Sequence, residues 1–158
     1  MRKLIALAAV LLAACSSGSP VSAPNLTTSN AIQTAHVLVD GVPVEGTVLT
    51  GSHQTTRLQA QLRDRDRDHL ALVRQIRIDY ELPGMGMGGA RRGQLTCHDD
   101  GTHGDALAGD GICNFMDDGD QIGCARLGSP QGTYRYTFHC EALDGSSCGE
   151  LMLSVTRR

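Results

Sequence analysis

Four segments of this 158-residue chain alternate apolar and polar residues with a period of two. RLQAQLR sets Leu58, Ala60 and Leu62 on one side, with Arg57, Gln59, Gln61 and Arg63 on the other. QIRIDYEL does the same with Ile76, Ile78, Tyr80 and Leu82 against Arg77, Asp79 and Glu81. TYRYTFHCEA sets Tyr134, Tyr136, Phe138, Cys140 and Ala142 inward, and LMLSVT sets Leu151, Leu153 and Val155. Successive strand residues point to opposite faces, so each pattern predicts a strand with one face on a core and the other in water. AHVLVD (35–40) and EGTVLT (45–50) are weaker strand candidates, and clusters of Gly, Pro, Asp and Ser mark the turns between. No segment carries a convincing helical stripe; DRDRDHLALVRQI holds one turn at most before it runs into a strand. The expectation is an all-β chain, an antiparallel β-sandwich of about seven short strands.

The first residues answer a different question. MRKLIALAAVLLAAC has a basic start, a short apolar run and small residues before a cysteine. This reads as an export signal over residues 1–14, too short for a permanent membrane span. LAAC, Leu12 to Cys15, resembles the lipobox of bacterial lipoproteins. The resemblance implies cleavage before Cys15 and lipid attachment at its thiol. Ser16 rather than an aspartate follows, which implies the outer membrane of a Gram-negative envelope. Acyl chains hold by burying methylenes, each worth about 0.8 kcal/mol. Residues 15–32 are rich in Ser, Thr, Pro and Asn and read as a flexible tether. Residues 33–158 are enough for one domain with one core.

Charge narrows the partners. Lys3, the one lysine, leaves with the signal, and the remaining arginines are outnumbered by aspartate and glutamate. A nucleic-acid partner is therefore not expected. The absence of tryptophan argues against a sugar platform built on aromatic stacking.

The least ordinary stretch is CHDDGTHGDALAGDGIC, Cys97 to Cys113. Its core, DDGTHGDALAGDGI (99–112), resembles a signature of bacterial and extracellular Ig-like sandwich domains, D-D-G-x-x-G-D-x-x-A-G-D-G-[IV]-Y. The flanks agree: an aspartate-rich turn and a strand precede it, and GTYRYTFHCEALDGSS follows as a G-x-Y strand with a D-x-x-G hairpin. The resemblance spans about residues 55–156. It departs where Cys113 stands in place of the family's aromatic residue and where NFMDDGDQIGCARLGSPQ lengthens the next link. It implies an Ig-like (fibronectin type III-like) sandwich used mostly as an accessory module. Gly132 and Tyr134 in QGTYRYTF resemble the tyrosine corner of such folds, whose hydroxyl bonds to upstream backbone; a plain aromatic strand is the other reading.

Two chemistries compete with simple turn formation in that stretch. Asp99, Asp100, Asp105 and Asp110 are candidate calcium ligands, with four interleaved glycines supplying tight bends. Asp-Gly pairs are also turn chemistry, each carboxylate bonding nearby backbone amides, and the spacing is not that of an EF-hand. The alternative is a copper site: Met85 and Met87 of PGMGMGG with His98 and His103 suit Cu(I). DRDRD (64–68) and MDDGDQ (116–121) read as solvated loops. His36, His53, His69 and His139 read as isolated surface groups. GSSCG (145–149) matches a nucleophile elbow only formally, with no histidine after it.

Export makes disulfides available. Besides Cys15 there are five cysteines. The preferred pairing joins Cys140 to Cys148 and Cys113 to Cys124, leaving Cys97 as a core residue, because Leu95 and Ile112 are both expected to face inward. The alternative pairs Cys97 with Cys113. The expectation for function is a non-enzymatic lipoprotein of the cell envelope, a binding or structural module that meets the membrane through its lipid and another surface protein through its sandwich. Calcium is its candidate cofactor. Copper handling is the alternative.

Overall fold

The computed structural model describes residues 30–48, 55–63, 72–84, 88–117, 122–124 and 129–158. All regular structure among them is strand. The nine strands are β1 (Ile32–Val39), β2 (Val42–Val44), β3 (Gly46–Val48), β4 (Thr56–Leu62), β5 (Val73–Leu82), β6 (Arg91–Cys97), β7 (Ile112–Met116), β8 (Gly132–Ala142) and β9 (Ser147–Arg157). They form two sheets, β2-β1-β4-β7 and β3-β9-β8-β5-β6.

The period-two pattern places the core. Leu58, Ala60 and Leu62 of β4 are buried, as are Ile76, Ile78 and Leu82 of β5. On β8 every second residue from Tyr134 to Ala142 is buried. Ile32, Ala35, Val37 and Val39 of β1 complete the interior from the first sheet. Burying a side chain such as Leu58, Ile78 or Phe138, each 0% exposed, contributes roughly 1.5–3 kcal/mol. The hydroxyls that come with the aromatic strand are satisfied. Tyr136 donates to the Ile122 carbonyl at 2.7 Å. Tyr134 donates to the Pro130 carbonyl, four residues upstream, at 2.7 Å, the back-bond expected of a tyrosine corner.

Two short strands raise the count above the expected seven. After β1 the chain turns at Asp40-Gly41, both at positive φ (49° and 82°), and β2 folds back so that Val42 pairs with Val39. A two-residue hairpin of this handedness matches strand twist. The chain then leaves the first sheet, and β3 pairs in parallel with β9, Gly46 opposite Val155. The sandwich is thus not wholly antiparallel. A segment that crosses between sheets arrives without a hairpin to fix its direction, so parallel pairing is open to it.

Cys97 is bonded to Cys113, and Cys140 to Cys148. The second pair staples the β8–β9 hairpin, as expected from the sequence. The first corrects the expected Cys113–Cys124 bridge: Cys124 is free and buried. The error lies in the facing of β7. Cys113 pairs with Ala60 and Ile112 with Gln61. Directly opposed residues share a face, so Cys113 points with Ala60 into the core and Ile112 points out. Ile112 misled because the outer face of β7 is not open to water; the 99–111 loop lies over it.

Burial pushes the Cys124 thiol up to about 11, which keeps it protonated and unreactive at neutral pH. Cys97–Cys113 ties β6, an edge of one sheet, to β7, an edge of the other. Non-reducing digestion at aspartate should link the Cys97 peptide to the Cys113 peptide, with Cys124 alkylated only after denaturation. A Cys113–Cys124 linkage would contradict the structure. Replacing Cys97 and Cys113 together by Ala should cost about 2–4 kcal/mol in chemical denaturation.

Candidate functional site

The stretch from His98 to Gly111 is an arch that carries the chain from the end of β6 to the start of β7. Its feet are fixed twice. Cys97–Cys113 joins them covalently, and His98 and Asn114 exchange two backbone hydrogen bonds of 2.8 Å each. All four glycines of the arch sit at positive φ, between 72° and 84°. Gly104 is closely packed: a Cβ there would lie 2.7 Å from Met116 Cε and 3.2 Å from Arg57 Nε. That contact seats the arch on the outer face of β4 and β7.

The aspartates are turned onto the arch's own backbone. Asp99 accepts from the amides of Gly109 (2.7 Å), Asp110 (3.2 Å) and Gly111 (3.0 Å). Asp100 accepts from the Thr102 amide at 2.9 Å and from the Thr102 hydroxyl. Asp105, buried, accepts from the Gly101 amide at 2.8 Å and from Asn114 Nδ2 at 3.1 Å. Asp110 accepts from the Ile112 amide at 2.9 Å. A carboxylate offers about four acceptor positions, so Asp99 has committed most of its capacity.

Burial raises the Asp99 carboxyl above its ordinary range; the three amides pull it down, and nearby Asp105 pushes it up again. Asp100 is lowered, first by the Thr102 hydroxyl and then by the Thr102 amide, with a smaller contribution from His98.

The four candidate calcium ligands therefore do not form one set. Asp99, Asp105 and Asp110 bring carboxylate oxygens within 4.8 Å of one another, a spread compatible with a shell of radius about 2.4 Å around Ca²⁺. Asp100 faces away and groups with His98 and His103, one donor atom from each again within 4.8 Å. The two imidazoles stack with centroids 3.9 Å apart and planes 13° apart. His98 Nδ1 is 3.5 Å from Asp100 Oδ2, and the Thr102 hydroxyl is 2.6 Å from His103 Nδ1.

Met85 and Met87, the other half of the copper set, lie outside the described residues, as does Cys15. Asp64, Asp66 and Asp68, with Asp118 and Asp120, lie outside them too. Asp117 is buried and accepts from the Ile122 amide at 2.9 Å. Cys148 of GSSCG is spent in a disulfide.

Two residues had no sequence signal. Asn114 is buried, donates to Asp105 and accepts from Gln59 at 3.0 Å; only the folding of the arch over β7 gives a polar residue that place. His139 does not stand alone: its Nε2 is 3.2 Å from Asp79 and its Nδ1 is 3.2 Å from Glu150. Register puts Glu150 opposite it on β9, and register is not readable from alternation.

Comparison with known proteins adds little. No family model and no curated protein matches the chain. Among solved structures, the X-ray structure of the endo-beta-1,4-mannanase from Thermotoga petrophila is similar at a TM-score of 0.43 and 12% identity. The match covers 79% of this chain and 19% of that one. Likeness at this level supports no statement about fold or activity.

The hydrogen bonds imply an arch that stands without an ion. In EDTA, Asp110→Asn keeps its acceptor oxygen and should cost under about 1 kcal/mol, whereas Asp99→Ala removes three amide partners and should cost about 2–3 kcal/mol. Thermal unfolding with EDTA and with millimolar Ca²⁺ checks both values. A wild-type rise of several degrees in Ca²⁺ that vanishes in Asp110→Asn would instead make the three carboxylates a calcium cradle.

Proposed function

We propose that the chain is an exported lipoprotein, anchored through Cys15 and presenting one Ig-like, fibronectin type III-like sandwich as a non-enzymatic binding or structural module of the cell envelope. The observation that carries the reading is strand order. With β1, β4, β5, β6, β7, β8 and β9 taken as strands A, B, C, C′, E, F and G, one sheet reads A-B-E with β2 added beside A, and the other G-F-C-C′ with β3 added beside G, a division of the main strands like that of immunoglobulin-type sandwiches. Tyr134 stands at the start of β8, the F position, with its back-bond to Pro130. Export is supported by the basic-apolar-small run before Cys15 and by two disulfides.

In this reading the arch is a stiff feature at one edge of the sandwich, held by its own amides, with calcium as the ion that would stiffen it further. Its partners are the membrane, met by the lipid, and another envelope or surface protein. The copper-handling alternative keeps the same anchor and uses Met85 and Met87 with His98 and His103; the imidazole stack favours it to the extent of bringing two of those four residues together.

Cys15→Ser separates the anchored from the unanchored reading. The variant should leave the membrane fraction and keep a longer N-terminus, with the sandwich still folded. A wild-type protein already soluble, or beginning elsewhere than Cys15, would contradict the proposal.

A further inference from the structure

His98, Asp100 and His103 form a cluster of a different kind from the aspartates around them. The three belong to one short run, H-D-D-G-T-H, yet the fold brings them to one point for separate reasons. His98 is pinned by its two backbone bonds to Asn114, at the foot of the arch. Gly101 follows Asp100 at a φ of 77°, and His103 itself is at a φ of 52°. Few residue types other than glycine accept that backbone, and His is among those enriched there. The result is a reversal that lays the His103 ring over the His98 ring. Asp100 is held beside them by Thr102 and reaches His98 at 3.5 Å.

From this geometry we infer that His98, Asp100 and His103 bind a borderline divalent transition-metal ion, of the chemistry of Zn²⁺ or Cu²⁺, at the outer surface of the arch. Two imidazole nitrogens and one carboxylate oxygen suit such ions better than Cu⁺, which favours sulfur, or Ca²⁺, which favours oxygen alone. The donor atoms lie within 4.8 Å of one another. A tetrahedral zinc shell, with bonds of about 2.0–2.2 Å, needs donors about 3.3 Å apart, so the three side chains draw together on binding. The Asp100 side chain is 56% exposed, which keeps the desolvation cost low, and Thr102 holds one of its oxygens while the other faces His98. The backbone that carries all three is already ordered by Asp99 and Asp105, so little chain entropy is lost on binding. Three protein donors leave a coordination position for water or for a donor from a partner surface. The site shares no side chain with Asp99, Asp105 and Asp110, and it does not depend on the lipoprotein reading.

The probe is Zn²⁺ alone, titrated by calorimetry into the untagged, metal-free chain. One equivalent should bind. His98→Ala and His103→Ala should each weaken it at least about tenfold, since loss of even an outer-shell partner brings that much, and Asp100→Asn should weaken it as well. His139→Ala, which removes a histidine between Asp79 and Glu150, should leave the binding unchanged. In the wild type, the imidazole proton resonances of His98 and His103 should move on addition of Zn²⁺ while those of His139 stay, a readout that needs no variant to fold. Absence of a stoichiometric site, or binding that survives both arch-histidine variants, would overturn the assignment. Loss of the site in Met85→Leu with Met87→Leu would move its ligands to the methionine segment and overturn it too.

Discussion

The connection between β6 and β7 is the point on which the sandwich depends. Two sheets packed face to face are joined by few covalent links, and here one link leaves the edge of one sheet and lands on the edge of the other. Cys97–Cys113 shortens that crossing to a single bridge with 5.4 Å between Cα atoms. The loop it closes then has to double back in a small space, and the four glycines at positive φ make that possible. Many of its polar groups turn onto one another. Asp99 gathers the amides at the returning end, Asp105 takes the Gly101 amide at the outgoing end, and Asn114 ties Asp105 down to β7. A buried polar group without a partner costs about 1–3 kcal/mol, so the buried Asp105–Asn114 bond stabilises the crossing chiefly by avoiding that loss.

This organisation separates the arch into an inner and an outer side. Inside, Asp105 lies buried against Asn114 of β7, and the pair holds the shape. Outside, Asp100 and His103 are exposed. Chemistry on the outer side can therefore vary without loss of the fold, the usual relation between a surface loop and the scaffold beneath it.

Much of the fold was legible because alternation reports burial directly. The inward residues of β4 and β8 were placed residue by residue, since Leu58, Ala60 and Leu62 and then Tyr134, Tyr136 and Phe138 have apolar or aromatic character that water does not favour. The reading failed where a face was not what its residues suggested. Ile112 is apolar yet points outward under the arch, and that reversal carried Cys113 to the wrong partner. β3 fell within the EGTVLT candidate, whereas β2 (Val42–Val44) was hidden because a three-residue strand has too few positions to show a period. The arch itself was legible as a tight Asp-Gly structure, but its division into Asp99, Asp105 and Asp110 on one side and Asp100 with two histidines on the other was not. That division depends on the left-handed turns at Gly101 and His103, which composition does not disclose.

The arch is held by its own backbone amides. Native-state hydrogen exchange at Gly109, Asp110 and Gly111, measured in EDTA, tests it most directly, because these three amides all donate to Asp99. Exchange slowed well below the rate of an open loop, already in EDTA, is the result the structure requires. Exchange at open-loop rates in EDTA, slowed only when Ca²⁺ is supplied, would contradict it.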